Sequence, residues 1–152
     1  MRFAVLKAIV LISGTSTIPT RASSMDEKNF DQQTIEALEA KVEQAQPSER
    51  CFLYAELMHQ MTEVSLRQYA AGDVEKASGL LRQVQKFAHK IHVSVDENDK
   101  RLKNAEILLR RTAFRLTEML HSSSFEDHIL VEQTLAQVNQ AESETMMQVF
   151  RK

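Results

Sequence analysis

Two short runs offer the most chemistry, Glu56-Leu57-Met58-His59 and Glu118-Met119-Leu120-His121. A glutamate and a histidine three apart share one side of a helix, and two such pairs, joined by a glutamate from each of two other helices, are the ligand set of a carboxylate di-iron centre. Level and facing argue against that reading. His59 falls early in one helix and His121 at the end of another, a separation of about 18 Å along the axes. On a helical wheel Glu118 points opposite Leu109, and His59 points away from Leu57. His89 and His92, also three apart, are the other metal candidates. Two imidazoles without a third ligand make a weak site, and His92 borders an apolar stripe, which suits packing at the edge of the core.

No serine, cysteine or lysine has a recognisable catalytic context, and no glycine-rich phosphate loop is present. The reading is therefore a non-enzymatic interaction domain with no cofactor, and the alternative is a metal-binding or metal-sensing bundle with histidine and glutamate ligands. Cys51, the single cysteine, rules out an internal disulfide framework. It is read as a buried, inert thiol, or as the source of an intermolecular disulfide.

Apolar residues outside the main stripes are more informative. Ile107, Phe114 and His121 fall seven apart, flanked by Lys103, Arg110 and Arg111. This basic and apolar line suits the acidic first or last helix of the same chain, which is the first expectation. It also suits a protein partner or a second subunit. Ile107, Phe114, Arg110 and Arg111 are the candidate interaction residues. A second line on another helix (Phe52, Ala55, Thr62, Leu66, Ala70) lies opposite Leu57, and a helix apolar on two sides is sandwiched between neighbours.

The elements that carry these residues are helices throughout. The 152-residue chain has three glycines and two prolines, too few turn residues for a β-rich fold. A first helix begins near Asp31 and carries Ile35, Leu38, Val42 and Ala45. Pro47 ends it and Ser48 caps the second, which runs to about Ala71 with Tyr54, Leu57, Met58, Met61, Val64 and Gln68 on one face. Gly72 suits a C-cap and Asp73 the next N-cap. The third helix has Val74, Ala77, Leu81, Val84, Ala88 and Ile91 in steps of three and four. Ser94-Val95-Asp96-Glu97 reads as a capping box that opens the fourth, with Leu102, Ala105, Leu109, Thr112, Ala113, Leu116 and Leu120. Glu97 with Arg101 and Glu106 with Arg110 read as pairs on a solvated face. Ser122, Ser123 and Ser124 break that helix. Ser124 with Asp127 caps the last, which carries Val131, Leu135, Val138, Ala141, Thr145 and Val149. Short turns between long amphipathic helices predict an all-α, antiparallel up-and-down bundle or short array of four to five helices.

The segment Gly72-Asp73-Val74-Glu75-Lys76-Ala77, with Ser65 before it and Leu81 after, resembles the turn and second-helix start of a tetratricopeptide repeat. It covers about one repeat. Gln68 stands where the family places a tyrosine, Val84 where it favours a small residue, and His89 where it ends on proline. The resemblance implies a tight helical hairpin.

Arg2 and Lys7 precede an apolar run from Ala8 to about Ile18, followed by Pro19 and small residues to Ser24. This is the layout of a secretory signal peptide over residues 1–24, with cleavage after Ala22 or Ser24. The run is too short for a permanent transmembrane helix, so the mature chain, residues 25–152, is read as one helical domain without a membrane span. The expected compartment is periplasmic or secreted, or cytoplasmic if translation starts at Met25. In outline the chain resembles exported all-helical proteins of bacteria, a likeness that implies no activity. Taking Arg2, Lys7 and Arg21 from the 19 basic residues leaves 16 against 21 acidic, a net of about −5. That balance excludes a general nucleic-acid binder, which needs a basic footprint.

Overall fold

The computed structural model describes residues 22–94 and 100–151. The described residues form five helices, α1 (Ala22–Gln44), α2 (Pro47–Ala70), α3 (Val74–Ser94), α4 (Leu102–Ser122) and α5 (Phe125–Phe150). The all-α bundle predicted from periodicity is the fold.

Four of the helices close a ring. Helix α2 packs on α3 and on α4, and α5 packs on the same two from the other side. Among the described residues α3 and α4 do not touch, so they stand at opposite corners of the ring. The α2–α3 and α4–α5 hairpins are antiparallel, and they lie side by side with like helices parallel. Arg115 on α4 therefore meets Glu63 on α2, and Gln85 on α3 meets Thr134 on α5. Helix α1 stands outside the ring and, among the described residues, packs on α2 alone.

This position explains why α2 is apolar nearly all round. Phe52, Ala55, Leu57, Met58, Met61 and Thr62 are all buried, because α1, α3 and α4 each take a side of it. The core is completed by Leu81 and Ile91 from α3, Leu109 and Leu116 from α4, and Val131 and Val138 from α5, all fully enclosed. Each such side chain contributes roughly 1.5–3 kcal/mol by leaving water. Three core threonines, Thr112, Thr134 and Thr145, satisfy their hydroxyls by donating to the carbonyls of Leu108, Leu130 and Ala141 one turn back. Cys51 is a buried thiol, 1% exposed.

The turn between α2 and α3 forms as its residues predict. Gly72 adopts φ +80°, the left-handed conformation that suits glycine. The amide of Asp73 donates to Gln68 O at 2.9 Å and that of Gly72 to Tyr69 O at 3.0 Å, a Schellman closure. The Asp73 carbonyl then accepts from the Ala77 amide and opens α3. Ser65 and Ala77 meet across the hairpin, the Ser65 hydroxyl donating to the Ala77 carbonyl.

Several boundaries differ from the sequence expectations. Helix α1 begins at Ala22 rather than near Asp31, because periodicity registers only where an apolar stripe starts and residues 22–30 carry no repeating one. The reading of residues 1–21 as most of a signal peptide lies outside the described residues. Pro47 opens α2 at its first position, with Gln46 as N-cap, so Ser48 is inside the first turn. Val74, at the start of α3, is exposed rather than in the stripe. Ser94 closes α3, and α4 opens only at Leu102; the rest of the expected capping box, with Glu97, lies outside the described residues. Ser124 is the N-cap of α5, but its hydroxyl bonds the Asp127 carboxylate at 2.8 Å instead of a backbone amide. No described helix is long and apolar enough to cross a membrane.

Candidate interaction surface

The outer face of α4 is set by the ring. Leu102, Ala105, Leu109, Ala113 and Leu116 point inward, so Lys103, Ile107, Arg111 and Phe114 face out. Phe114 is 63% exposed and Ile107 36%. The first expectation for this line, cover by the acidic first or last helix, is not met at its apolar residues. Helix α1 packs on α2, and α5 reaches only the edge of the line. There Arg110 bridges Glu106 on its own helix and Glu142 on α5. Glu106 is buried rather than on a solvated face, because it sits where α4 meets α5. Arg111 is exposed and has no ion pair among the described residues.

Beside this face a groove of about 400 Å³ runs between α2 and α4, lined by Phe52, His59, Arg101, Ile107 and Arg111 among others. At one end Arg101 lays its guanidinium on the Phe52 ring, 3.4 Å from the centroid. The Arg101 backbone is left-handed, φ 63°, which costs a non-glycine residue roughly 1 kcal/mol. Beside it the Lys100 amide donates to the Ser48 carbonyl at 2.6 Å, fixing the entry of α4 against the start of α2.

His59 forms the groove floor, with Nδ1 at 3.2 Å from Thr112 Oγ1. The Thr112 hydroxyl already donates to Leu108 O, so Nδ1 carries the hydrogen and donates to Thr112. The His59 pKa lies below 6.5, chiefly because burial penalises the imidazolium. Glu63 opposes that shift, and Arg111 and Arg115 reinforce it. Next to Phe114, Arg115 forks onto both oxygens of Glu63, at 2.6 and 3.2 Å, and also reaches Glu118. No family model, no curated protein and no solved structure matches this chain. The surface has to be read from its own residues.

The metal candidates lie elsewhere. His89 and His92 project from α3 toward α5, ring centroids 6.0 Å apart, along a groove of about 460 Å³. His92 Nδ1 is engaged at 2.5 Å by Glu144 on α5, and Gln140 donates to the same oxygen. Of the Glu-x-x-His histidines, His59 bonds Thr112 and His121 bonds the Thr117 carbonyl of its own helix. Among the described residues no three His, Cys, Asp or Glu side chains gather as a ligand set.

Residue patterning selected Ile107, Phe114, Arg110 and Arg111 for this face, but read Phe52 as sandwiched between helices, His59 as part of a Glu-x-x-His motif and Arg101 as the partner of Glu97. Those three come together along the groove because α2 and α4 run parallel, and no local pattern encodes that register.

Proposed function

We propose that this chain is a non-enzymatic helical interaction domain, exported behind residues 1–24, that binds protein through the outer face of α4. The observation that carries the reading is Phe114, a large ring 63% exposed on a rigid helix, one residue from the anchoring Arg115–Glu63 pair. Ile107 extends the apolar line by two turns, and Arg111 supplies at its side a cation with no ion pair among the described residues. A large side chain held on a fixed backbone loses little freedom on binding, which favours its use as an anchor. The α2–α4 groove beside it offers a recess for a partner side chain. Export rests on the basic, apolar and small-residue order of the first two dozen residues.

Chemical cross-linking in the native extract, with the full chain and its Arg111→Glu and Phe114→Ser variants, tests the surface. Cross-linked species should diminish in both variants while circular dichroism stays unchanged. Cross-links of undiminished yield in both would refute the surface. Mass determination of the purified chain tests export, since an N-terminus at Ser23 or Met25 is expected and retention of residues 1–21 excludes cleavage there.

A further inference from the structure

Independently of the α4 surface, we infer that His89 and His92, in the groove between α3 and α5, chelate one late first-row divalent cation, Cu²⁺ most tightly, with Glu144 positioning His92. His92 Nδ1 stands 2.5 Å from Glu144 Oε1. A carboxylate accepts and does not donate, so Nδ1 carries the hydrogen and the lone pair of the neutral ring lies on Nε2. Ligating histidines commonly take this form: one ring N–H given to a carboxylate fixes the ring and makes the other nitrogen a stronger ligand. Glu144 is itself held, since Gln140 donates to the same oxygen at 3.1 Å. Periodicity placed His92 at the edge of the core, yet its side chain is 47% exposed and lines the groove.

His89 lines the groove one turn earlier, its ring centre 6.0 Å from that of His92. A ligating imidazole nitrogen sits about 2.0–2.1 Å from its metal, which puts each ring centre about 3 Å away. Two rings at this spacing reach one ion after a small rotation of either exposed side chain. The charge around them also favours a cation. No lysine or arginine ion pair reaches Glu144 among the described residues, and its Oε2 is enclosed without a hydrogen-bond partner. An ion on Nε2 sets positive charge against that carboxylate through the imidazole. Lys90, beside His89 in the chain, is turned onto the Tyr54 and Phe87 rings. Lys86 and Arg82 oppose the ion from one and two turns further along the groove. Imidazole suits copper, zinc and nickel, and Cu²⁺ binds such donors most tightly. Among the described residues no third His, Cys, Asp or Glu completes the set, which leaves positions open to water or an exchangeable ligand.

Titration of the purified chain with Cu²⁺, followed by calorimetry, tests the site. Binding should saturate at one ion per chain, and electron paramagnetic resonance of the loaded protein should show two imidazole nitrogens. His89→Ala and His92→Ala should each lower the affinity at least about tenfold and leave one nitrogen, with unchanged circular dichroism. His121→Ala, which removes an exposed histidine of α4, should leave the affinity unaltered. Glu144→Gln should lower the affinity about 10–100-fold while both nitrogens remain, the mark of a carboxylate that acts through its histidine. Zn²⁺ should occupy the same site more weakly. Absence of saturable Cu²⁺ binding, or affinity unmoved in both His89→Ala and His92→Ala, overturns the site. Unmoved affinity in Glu144→Gln overturns the role assigned to that carboxylate.

Discussion

Arg67 on α2 grips both carboxylate oxygens of Asp31 on α1, at 2.7 and 3.3 Å. Asp31 is buried and Arg67 is partly exposed, so the pair works as a pin at the far end of a helix held on one side only. Asp31→Asn should cost about 1 kcal/mol globally, near the upper range for a partly exposed bidentate pair. Its local effect should be larger. Amide hydrogen exchange in α1 should quicken well before that in α2, because α1 can open without breaching the ring. Uniform acceleration across both helices would show that α1 is part of the same cooperative unit.

His59 makes stability depend on pH with a definite sign. Its folded pKa lies below 6.5, so on acidification the unfolded chain takes up this proton first. The contribution is intact above about pH 6.5 and is lost as pH falls toward the lowered folded value. His59→Asn keeps a donor toward Thr112 and removes the titration. Urea denaturation at pH 7 and pH 5 should show a smaller loss on acidification in the variant than in the wild type. Equal losses would place the acid sensitivity elsewhere.

Two glycine substitutions should have opposite signs. At Gly72, φ +80° places an added Cβ in a strained backbone even though the space around it is open. Gly72→Ala should destabilise by about 1 kcal/mol. Gly79 sits inside α3, also with nothing near a built Cβ, so Gly79→Ala should stabilise by roughly 0.5–1 kcal/mol. Thermal or urea midpoints of the pair decide both signs.

Phe114 and Leu116 are two residues apart and should behave oppositely. Leu116 is fully enclosed, and Leu116→Ala should cost 2–5 kcal/mol, the usual order for a buried leucine. Phe114→Ser should change unfolding free energy by less than about 0.5 kcal/mol. A large stability loss for Phe114→Ser would mean that the ring packs on its own domain in solution.

Helical elements and their inward faces follow from residue order alone. Ala77, Leu81, Val84, Ala88 and Ile91 recur in helical steps, and all are buried. Gly72 and Asp73 specified their turn because its backbone needs are local. The two-sided apolarity of α2 announced a central helix, which the packing of α1, α3 and α4 on it confirms. Periodicity also located Phe114, Ile107 and Arg111, since a residue off the core stripe of a bundled helix faces outward.

The arrangement of the helices emerges only in the folded molecule. The amphipathic stripes of α3 and α4 do not say whether those helices touch, and the ring that separates them sets α2 parallel to α4. That register joins Arg115 to Glu63, His59 to Thr112 and Arg101 to Phe52, pairs about fifty residues apart along the chain. Among the described residues α1 packs on α2 and not on α4, so the acidic helix does not cover the basic one. Helix formation depends on neighbours three and four residues away, so it is written locally. The choice of packing partner depends on the summed fit of whole faces, and no short stretch of this sequence holds that sum.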